Sequence, residues 1–228
     1  MNRLIASALI AFTLAAPASA ENRALRGFSA IDAEDRISVS IDVGERYAVE
    51  ITGADAERIR TRVDGRTLYI EDARRPLFGR GPRLDANIRI TAPAIEAVSA
   101  SRGAELAANL SGGSCDDFSA AASMGGSVNI TGAQCGAVST SASMGAEVRI
   151  TGACRSHDIS ASMGAYVRAN EMQCSTVDAS ASMGGDVRAF ASQSYDASAS
   201  MGGSIEIDGG GRATDTSSVM GGSINSGN

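Results

Sequence analysis

The stretch SASMGAEVRI, Ser141 to Ile150, returns almost unchanged as SASMGGDVRA, Ser180 to Ala189. Around these two, Met124, Met144, Met163, Met183, Met201 and Met220 each precede a glycine, at spacings of 20, 19, 20, 18 and 19 residues. A fixed period near twenty residues marks a repeat architecture and outranks local propensity. Counted from the Met as zero, apolar or small residues fall on even positions before it. Position −6 holds Phe118, Val138, His157, Val177, Tyr195 and Thr214, and position −2 holds alanine in five copies and Ser218 in the last. Aspartates and mostly serines fill the odd positions. Period two means a strand with one buried face. After the glycine the alternation restarts, with Val128, Val148, Val167, Val187, Ile205 and Ile224 at position +4. Glycine between the two limbs permits a sharp corner.

No segment carries a 3.6-residue apolar spacing, and serine and glycine are abundant throughout the repeats, so a helical reading fails. Near-identical units are satisfied most simply when each strand lies beside its own copy in the next coil. That arrangement is a parallel β-helix, a β-solenoid with about 19–20 residues per coil. Parallel crossovers are nearly always right-handed, which predicts a right-handed solenoid. Adjacent strands about 4.8 Å apart make six coils a rod roughly 30 Å long.

Met1 to Ala20 has Arg3 in a short basic start, an apolar run from Leu4 to Ala16, and Ala18-Ser19-Ala20 before Glu21. This reads as a cleavable secretory signal, too short to span a bilayer. No later stretch is apolar enough to span one. The expectation is an exported protein, periplasmic or secreted, whose residues 21–228 form a single domain. Within it, residues 27–102 make irregular opening coils and residues 103–228 the regular repeats.

The formal net charge is −6, with 20 arginines and no lysine against 26 acids. Past Gly103 the balance is five arginines to twelve acids. An acidic rod excludes nucleic acid as a partner. The opening part alternates at Ile37, Val39, Ile41 and Val43, again at Tyr47, Val49 and Ile51, and at Leu68 and Ile70 after an Asp64-Gly65 hairpin turn. Val43-Gly44 superposes on the later Met-Gly corner. Arg102-Gly103 is such a corner with arginine in the Met place. Between them RRPLFGRGPR, Arg74 to Arg83, breaks the alternation and reads as a protruding loop. Its Arg74, Arg75, Arg80 and Arg83, with Phe78, form a candidate contact for an anionic surface, set against an ordinary solvated loop.

The order of these features resembles the DUF2807 family, also called the putative auto-transporter adhesin head, or GIN, domain. It is carried by the leader, Gly27-Phe28-Ser29-Ala30-Ile31, Ile37 to Ile41, Val49-Glu50-Ile51, Leu68-Tyr69-Ile70, Ile88-Arg89-Ile90 with Pro93, and the Ser/Gly repeats. The resemblance implies an exported β-helical domain with an adhesin label. With no translocator barrel after the repeats, the chain is not expected to cross an outer membrane by itself.

Cys115, Cys135, Cys154 and Cys174 each stand nine residues before a Met, in four successive coils. Stacked coils put their Cα atoms within disulfide range, and export supplies an oxidising compartment. Cys115 with Cys135 and Cys154 with Cys174 is one pairing, Cys135 with Cys154 is sterically equivalent, and a buried, unbonded row of four thiols is the other reading. A thiolate zinc site fits poorly, because the spacing matches no usual pattern. The Met column could hold Cu(I) through soft thioethers, but even parity puts it in the core as filler. Asp158, Asp178, Asp196 and Asp215 form a column on an outer face. It is a candidate binding face and a weaker candidate for calcium, the solvated row being the simpler state. His157, the only histidine, sits in an apolar slot and reads as packed. No catalytic constellation, metal set or cofactor motif emerges.

These residues point to an exported, non-enzymatic module that binds a glycan or another envelope surface component. The alternative is a carbohydrate-active enzyme using the acidic column. An uncapped C-terminal coil also predicts weak end-to-end self-association.

Overall fold

The computed structural model describes residues 21–74 and 82–227. The leader Met1–Ala20 and the loop residues Arg75, Phe78 and Arg80 lie outside them. The described chain is almost entirely β, with one short 3₁₀ turn, Ala56–Arg58, and no helix long and apolar enough to cross a membrane.

The opening strands are β1 (Glu21–Arg23), β2 (Ala30–Ala33), β3 (Ser38–Val43), β4 (Ala48–Thr52), β5 (Ile59–Asp64), β6 (Thr67–Asp72), β7 (Asn87–Ala92), β8 (Ala97–Ala100) and β9 (Glu105–Asn109). The regular coils follow in β10 (Cys115–Ala122), β11 (Ser127–Ser143), β12 (Glu147–Ser162), β13 (Tyr166–Ser182), β14 (Asp186–Ser200), β15 (Ser204–Asp208), β16 (Arg212–Val219) and β17 (Ser223–Ser226). From β8 onward every coil pairs in parallel with the next, in register along each limb and shifting only where the strands bend. Val128 lies beside Val148, Val148 beside Val167, and Val167 beside Val187. The β-solenoid expected from the period is the observed fold.

Each long strand bends where its alternation slips. In β11 the inward residues are Val128 and Ile130, then Ala133 and Cys135, then Val138, Thr140 and Ala142. The interruptions at Thr131-Gly132 and Gly136-Ala137, with the Met-Gly turn, divide a coil into three limbs. The faces follow the period: Val148 is fully buried and its neighbour Arg149 exposed.

The Met-Gly corner is a tight turn with positive φ at two successive residues. Met φ runs from 47° to 53° and the following glycine's from 69° to 77°. The residue after the glycine donates back to the residue before the Met, as Gly126 N–H does to the Ser123 carbonyl at 2.9 Å. This is type I′ geometry. Where alanine occupies that donor position, at Ala146 and Ala165, the bond lengthens to 3.3 and 3.2 Å. The donor position is buried and tight: a Cβ on Gly185 would lie 2.4 Å from the Ala161 carbonyl oxygen.

This turn corrects the expectation that the methionines fill the core. Met124, Met144, Met163, Met183 and Met201 are 45 to 49% exposed. Parity counted along a strand does not survive two successive left-handed residues. The chain turns the Met and the glycine outward, and the inward face resumes one residue later.

A second correction concerns the opening coil. Its corner falls at Asp35-Arg36, with φ of 69° and 50°, rather than at Val43-Gly44. Ala33 pairs with Ala100 and Ser38 with Glu105, which sets Asp35-Arg36 against Arg102-Gly103. The Arg102 Nε bonds the Asp35 carboxylate at 2.9 Å and ties the two corners. Val43 is still in a strand, beside Ala92.

The coils do not stack in chain order at this end. The β2–β3 coil sits between β6–β7 on one side and β8–β9 on the other, parallel to both. Antiparallel strands close the end: β5 on β6, joined by a two-residue turn at Gly65-Arg66, one residue past the expected Asp64-Gly65, and β4 with β1 beyond β7. Larger side chains fill this part, including Phe28, Ile31, Ile41, Leu68, Ile88 and Ile90, while the regular coils mix alanine and valine with fewer large residues such as Ile130, Ile150 and Ile159. Antiparallel pairing and bulk together cover the first core slice, as a solenoid requires. At the other end β16 is exposed along its whole length.

Candidate functional site

The bend at Gly136-Ala137 and its copies leaves a cleft of about 1180 Å³ along the side of the rod. Its floor follows the coils. Ala137, Ser156, Thr176 and Ser194 line it at position −7, and Ser139, Asp158, Asp178 and Asp196 at position −5. Between these rows Val138, His157, Val177 and Tyr195 point inward and are buried. The cleft is bounded toward the opening coils by Pro93 to Ala97 and by the Gly112 to Asp117 segment. At its mouth Arg66 pairs with Glu96, which also accepts a hydrogen bond from the Ser29 hydroxyl.

The strand ladder brings the aspartates together as expected from spacing. Asp158 lies beside Asp178, Asp178 beside Asp196, and Asp196 beside Asp215. The first three line the cleft; Asp215 continues the row beyond it, its N–H bonded to the Asp196 carboxylate at 2.9 Å. Asp178 has a carboxylate on either side. Partial burial, and then the charges of Asp158 and Asp196, push its carboxyl above the ordinary range. The column thus ends against an uncharged counterpart, Ser139, which occupies the same register one coil earlier.

His157 lies under this wall, 2% exposed. Its Nε2 shares a 2.8 Å hydrogen bond with the Thr140 hydroxyl of the preceding coil. Burial lowers its pKa to about 4, so the ring is neutral over the physiological range. A packed, neutral imidazole agrees with the sequence reading.

The four cysteines form two bridges, Cys115–Cys135 and Cys154–Cys174, each with Cα atoms 4.5 Å apart. Of the pairings open from spacing, the first is the one adopted, although Cys135 and Cys154 also lie side by side. The Cys154 and Cys174 sulfurs and an imidazole nitrogen of His157 fall within 4.8 Å of one another. Bridged sulfurs offer no thiolate to a metal.

Of the proposed basic loop, two arginines are described. Arg83 is held at the rod, paired with Glu105 and bonded to the Ser38 hydroxyl. Arg74 is exposed, its N–H bonded to the Asp72 carboxylate, which also pairs with Arg58 at 2.6 Å.

Sequence reasoning found the acidic row but not the cleft, nor the roles of Ser156, Thr176, Ser194, Arg66 and Glu96. The available signal was the run of small residues at position −7, where the alternation slips.

A lateral acidic cleft thus runs along the side of a β-solenoid. The chain belongs to the DUF2807 family, described as "Putative auto-transporter adhesin, head GIN domain", whose model matches residues 27–211. Among solved structures it is similar to one described as a putative adhesin from Bacteroides fragilis NCTC 9343. That match has a TM-score of 0.80 and 19% identity, covering 91% of this chain and 96% of the other. Structures described as a putative adhesin from Parabacteroides merdae ATCC 43184 and a putative lipid binding protein from Parabacteroides distasonis ATCC 8503 each match with a TM-score of 0.66. Both are 14% identical, over 92% of this chain and 96% of the other. At these identities the likeness is one of fold. No curated protein matches the sequence.

Proposed function

We propose that this chain is an exported, non-enzymatic module that binds a hydroxyl-rich glycan lengthwise in the cleft. The observation that carries the reading is the in-register row Asp158, Asp178 and Asp196 beside the hydroxyls of Ser156, Thr176 and Ser194, repeating once per coil. A repeating row of carboxylates and hydroxyls offers each successive sugar the same acceptors. Hydrogen bonds to a charged partner contribute about 1.5–3 kcal/mol each, and several along one strand add through linkage. The leader and the two bridges support export. The adhesin and lipid-binding descriptions of the fold neighbours are compatible with an envelope ligand. Between them, the acidic wall disfavours anionic headgroups and favours neutral sugars.

The test is a glycan array probed with the mature protein and with Asp178→Asn. Wild type retains neutral glycans without releasing shortened products, and the variant binds about tenfold more weakly. An array with no retained glycan, or equal binding by the two proteins, contradicts the reading. Shortened products lost in Asp158→Ala or Asp178→Ala would favour a carbohydrate-active enzyme instead.

A further inference from the structure

The corner methionines form a second organised row, on a different edge of the rod from the cleft. Met124, Met144, Met163, Met183, Met201 and Met220 occupy six successive corners. The register is fixed by rung bonds from each following glycine to the next Met carbonyl, as from Gly145 N–H to Met163 O at 3.1 Å and Gly184 N–H to Met201 O at 3.2 Å. Neighbouring Met backbones are therefore one strand spacing apart, about 4.8 Å. Met220, at the last described corner, is 79% exposed, against 45 to 49% for the other five. An interior corner is thus more covered than the last one, as expected where each coil lies against the next.

Neither packing nor turn chemistry accounts for methionine here. The first central position of a type I′ turn favours Asn, Asp or Gly, and a long side chain at φ near +50° is uncommon. Each interior Met accepts that conformation while leaving almost half of its surface in solvent. The feature that these six residues share, and that Asn or Gly lacks, is the thioether sulfur.

We propose that the row is a site for a soft monovalent cation, Cu(I), held between thioethers of adjacent coils. Soft sulfur donors select Cu(I) over Zn(II) and over hard cations. A thioether is neutral and does not titrate, so it stays a ligand across the pH range. It also remains available in an oxidising compartment, where all four thiols of this chain are bridged. The row has a defined start. In the preceding coil Arg102 takes the Met place, and Arg36 and Arg83 line the hollow beside Met124 and Gly125. Arg102 and Arg83 are each paired with a carboxylate, so that corner offers neither a thioether nor a free charge, and the row begins at Met124.

The test separates adjacency from sulfur count. Two triple variants each keep three corner methionines. Met144→Asn with Met183→Asn and Met220→Asn leaves no two neighbours. Met183→Asn with Met201→Asn and Met220→Asn leaves Met124, Met144 and Met163 contiguous. Asparagine suits the corner, so both variants are expected to melt as cooperatively as wild type. Protein with intact bridges, checked by thiol titration, is titrated with Ag(I) while methionine methyl signals are followed by NMR. Cu(I) kept reduced by ascorbate is then competed against a chromophoric chelator. In wild type the corner methyls shift and that of buried Met172 does not, while Zn(II) causes no shift. The alternating variant holds Cu(I) about tenfold more weakly than the contiguous one, having lost its bidentate sites. Equal affinity of the two variants overturns the proposal. So does a wild-type protein whose corner methyls ignore Ag(I), an arm that needs no variant to fold.

Discussion

The Nε2 of His157 lies 2.8 Å from the hydroxyl of Thr140 on the neighbouring coil, and both side chains are buried beneath the acidic wall of the cleft. They stand in adjacent inward columns: Val138 and Val177 flank His157 in register, and Ala120 and Ile159 flank Thr140. A polar pair in such a place is tolerated because each member satisfies the other.

Stability therefore depends on pH through His157. Its pKa falls from 6.5 to about 4 on folding, so between these values the unfolded chain binds more protons than the folded one. The stability is complete above pH 6.5 and is lost as the pH falls toward 4, by about 3 kcal/mol in all. Replacing both partners, His157→Val with Thr140→Ala, should flatten this part of the profile without stranding a polar group. Denaturant melts of the two proteins at pH 7 and pH 4.5 check it. A parallel acid loss in both would assign that loss to the carboxylates instead.

Asp178 has the opposite sign at neutral pH. An acid whose folded pKa is raised favours the fold only while protonated, and charging it costs stability as the pH rises through its titration. Asp178→Asn should thus melt at a higher temperature than wild type at pH 7, and the gap should close below about pH 3.8, the ordinary value. The same change weakens ligand binding in the account above, a trade between activity and stability common at binding sites. A variant less stable at pH 7 would show that the carboxylate is structurally paired.

The bridges should appear chemically as they do in the fold. Unfolded, non-reduced mature protein should titrate no free thiols, and peptide mapping should recover Cys115 with Cys135 and Cys154 with Cys174. Each closes a loop with a sequence separation of 20, worth about 3 kcal/mol on a chain-entropy account. Reduction should lower the denaturation midpoint accordingly. Four free thiols, or a Cys135–Cys154 peptide, would contradict the pairing.

Two glycines should respond very differently to alanine. Gly145, φ +69°, has open space where a Cβ would go, so Gly145→Ala costs about 1–2 kcal/mol of left-handed strain. Gly152, φ +141°, packs against the neighbouring coil, and a Cβ there would sit 2.0 Å from the Ala133 carbonyl oxygen. Gly152→Ala should cost clearly more, because backbone must move in a ladder shared by two coils. Equal melting temperatures for the two would mean that the Thr131-Gly132 and Thr151-Gly152 bends are soft.

What the sequence showed followed from its local periods. The coil length, the inward residues such as Val148, the cysteine row and the aspartate row all follow from near-identical units lying in register. The methionines were misplaced because counting by twos fails across Met144-Gly145, where two left-handed residues turn the chain outward together. Insertion of the β2–β3 coil between two later coils was hidden because pairing of Ile31 with both Leu68 and Val98 is non-local. The cleft was hidden for a similar reason: one wall is the repeated rows, while Pro93 to Ala97 lie before the regular repeats and Gly112 to Asp117 at the entry to their first long coil, without a counterpart in the copies.

The central claim is that ligand lies in this cleft, and steric blocking tests it most directly. Ser139 lines the cleft and Asn129 lies on another limb of the same strand; both are exposed, so tryptophan at either position spares the core. The affinity of a glycan retained on the array is measured for Ser139→Trp and Asn129→Trp. The account predicts that Ser139→Trp abolishes binding while Asn129→Trp binds as wild type does. Undiminished binding by Ser139→Trp, with loss in Asn129→Trp, would contradict it and move the site to another face of the rod.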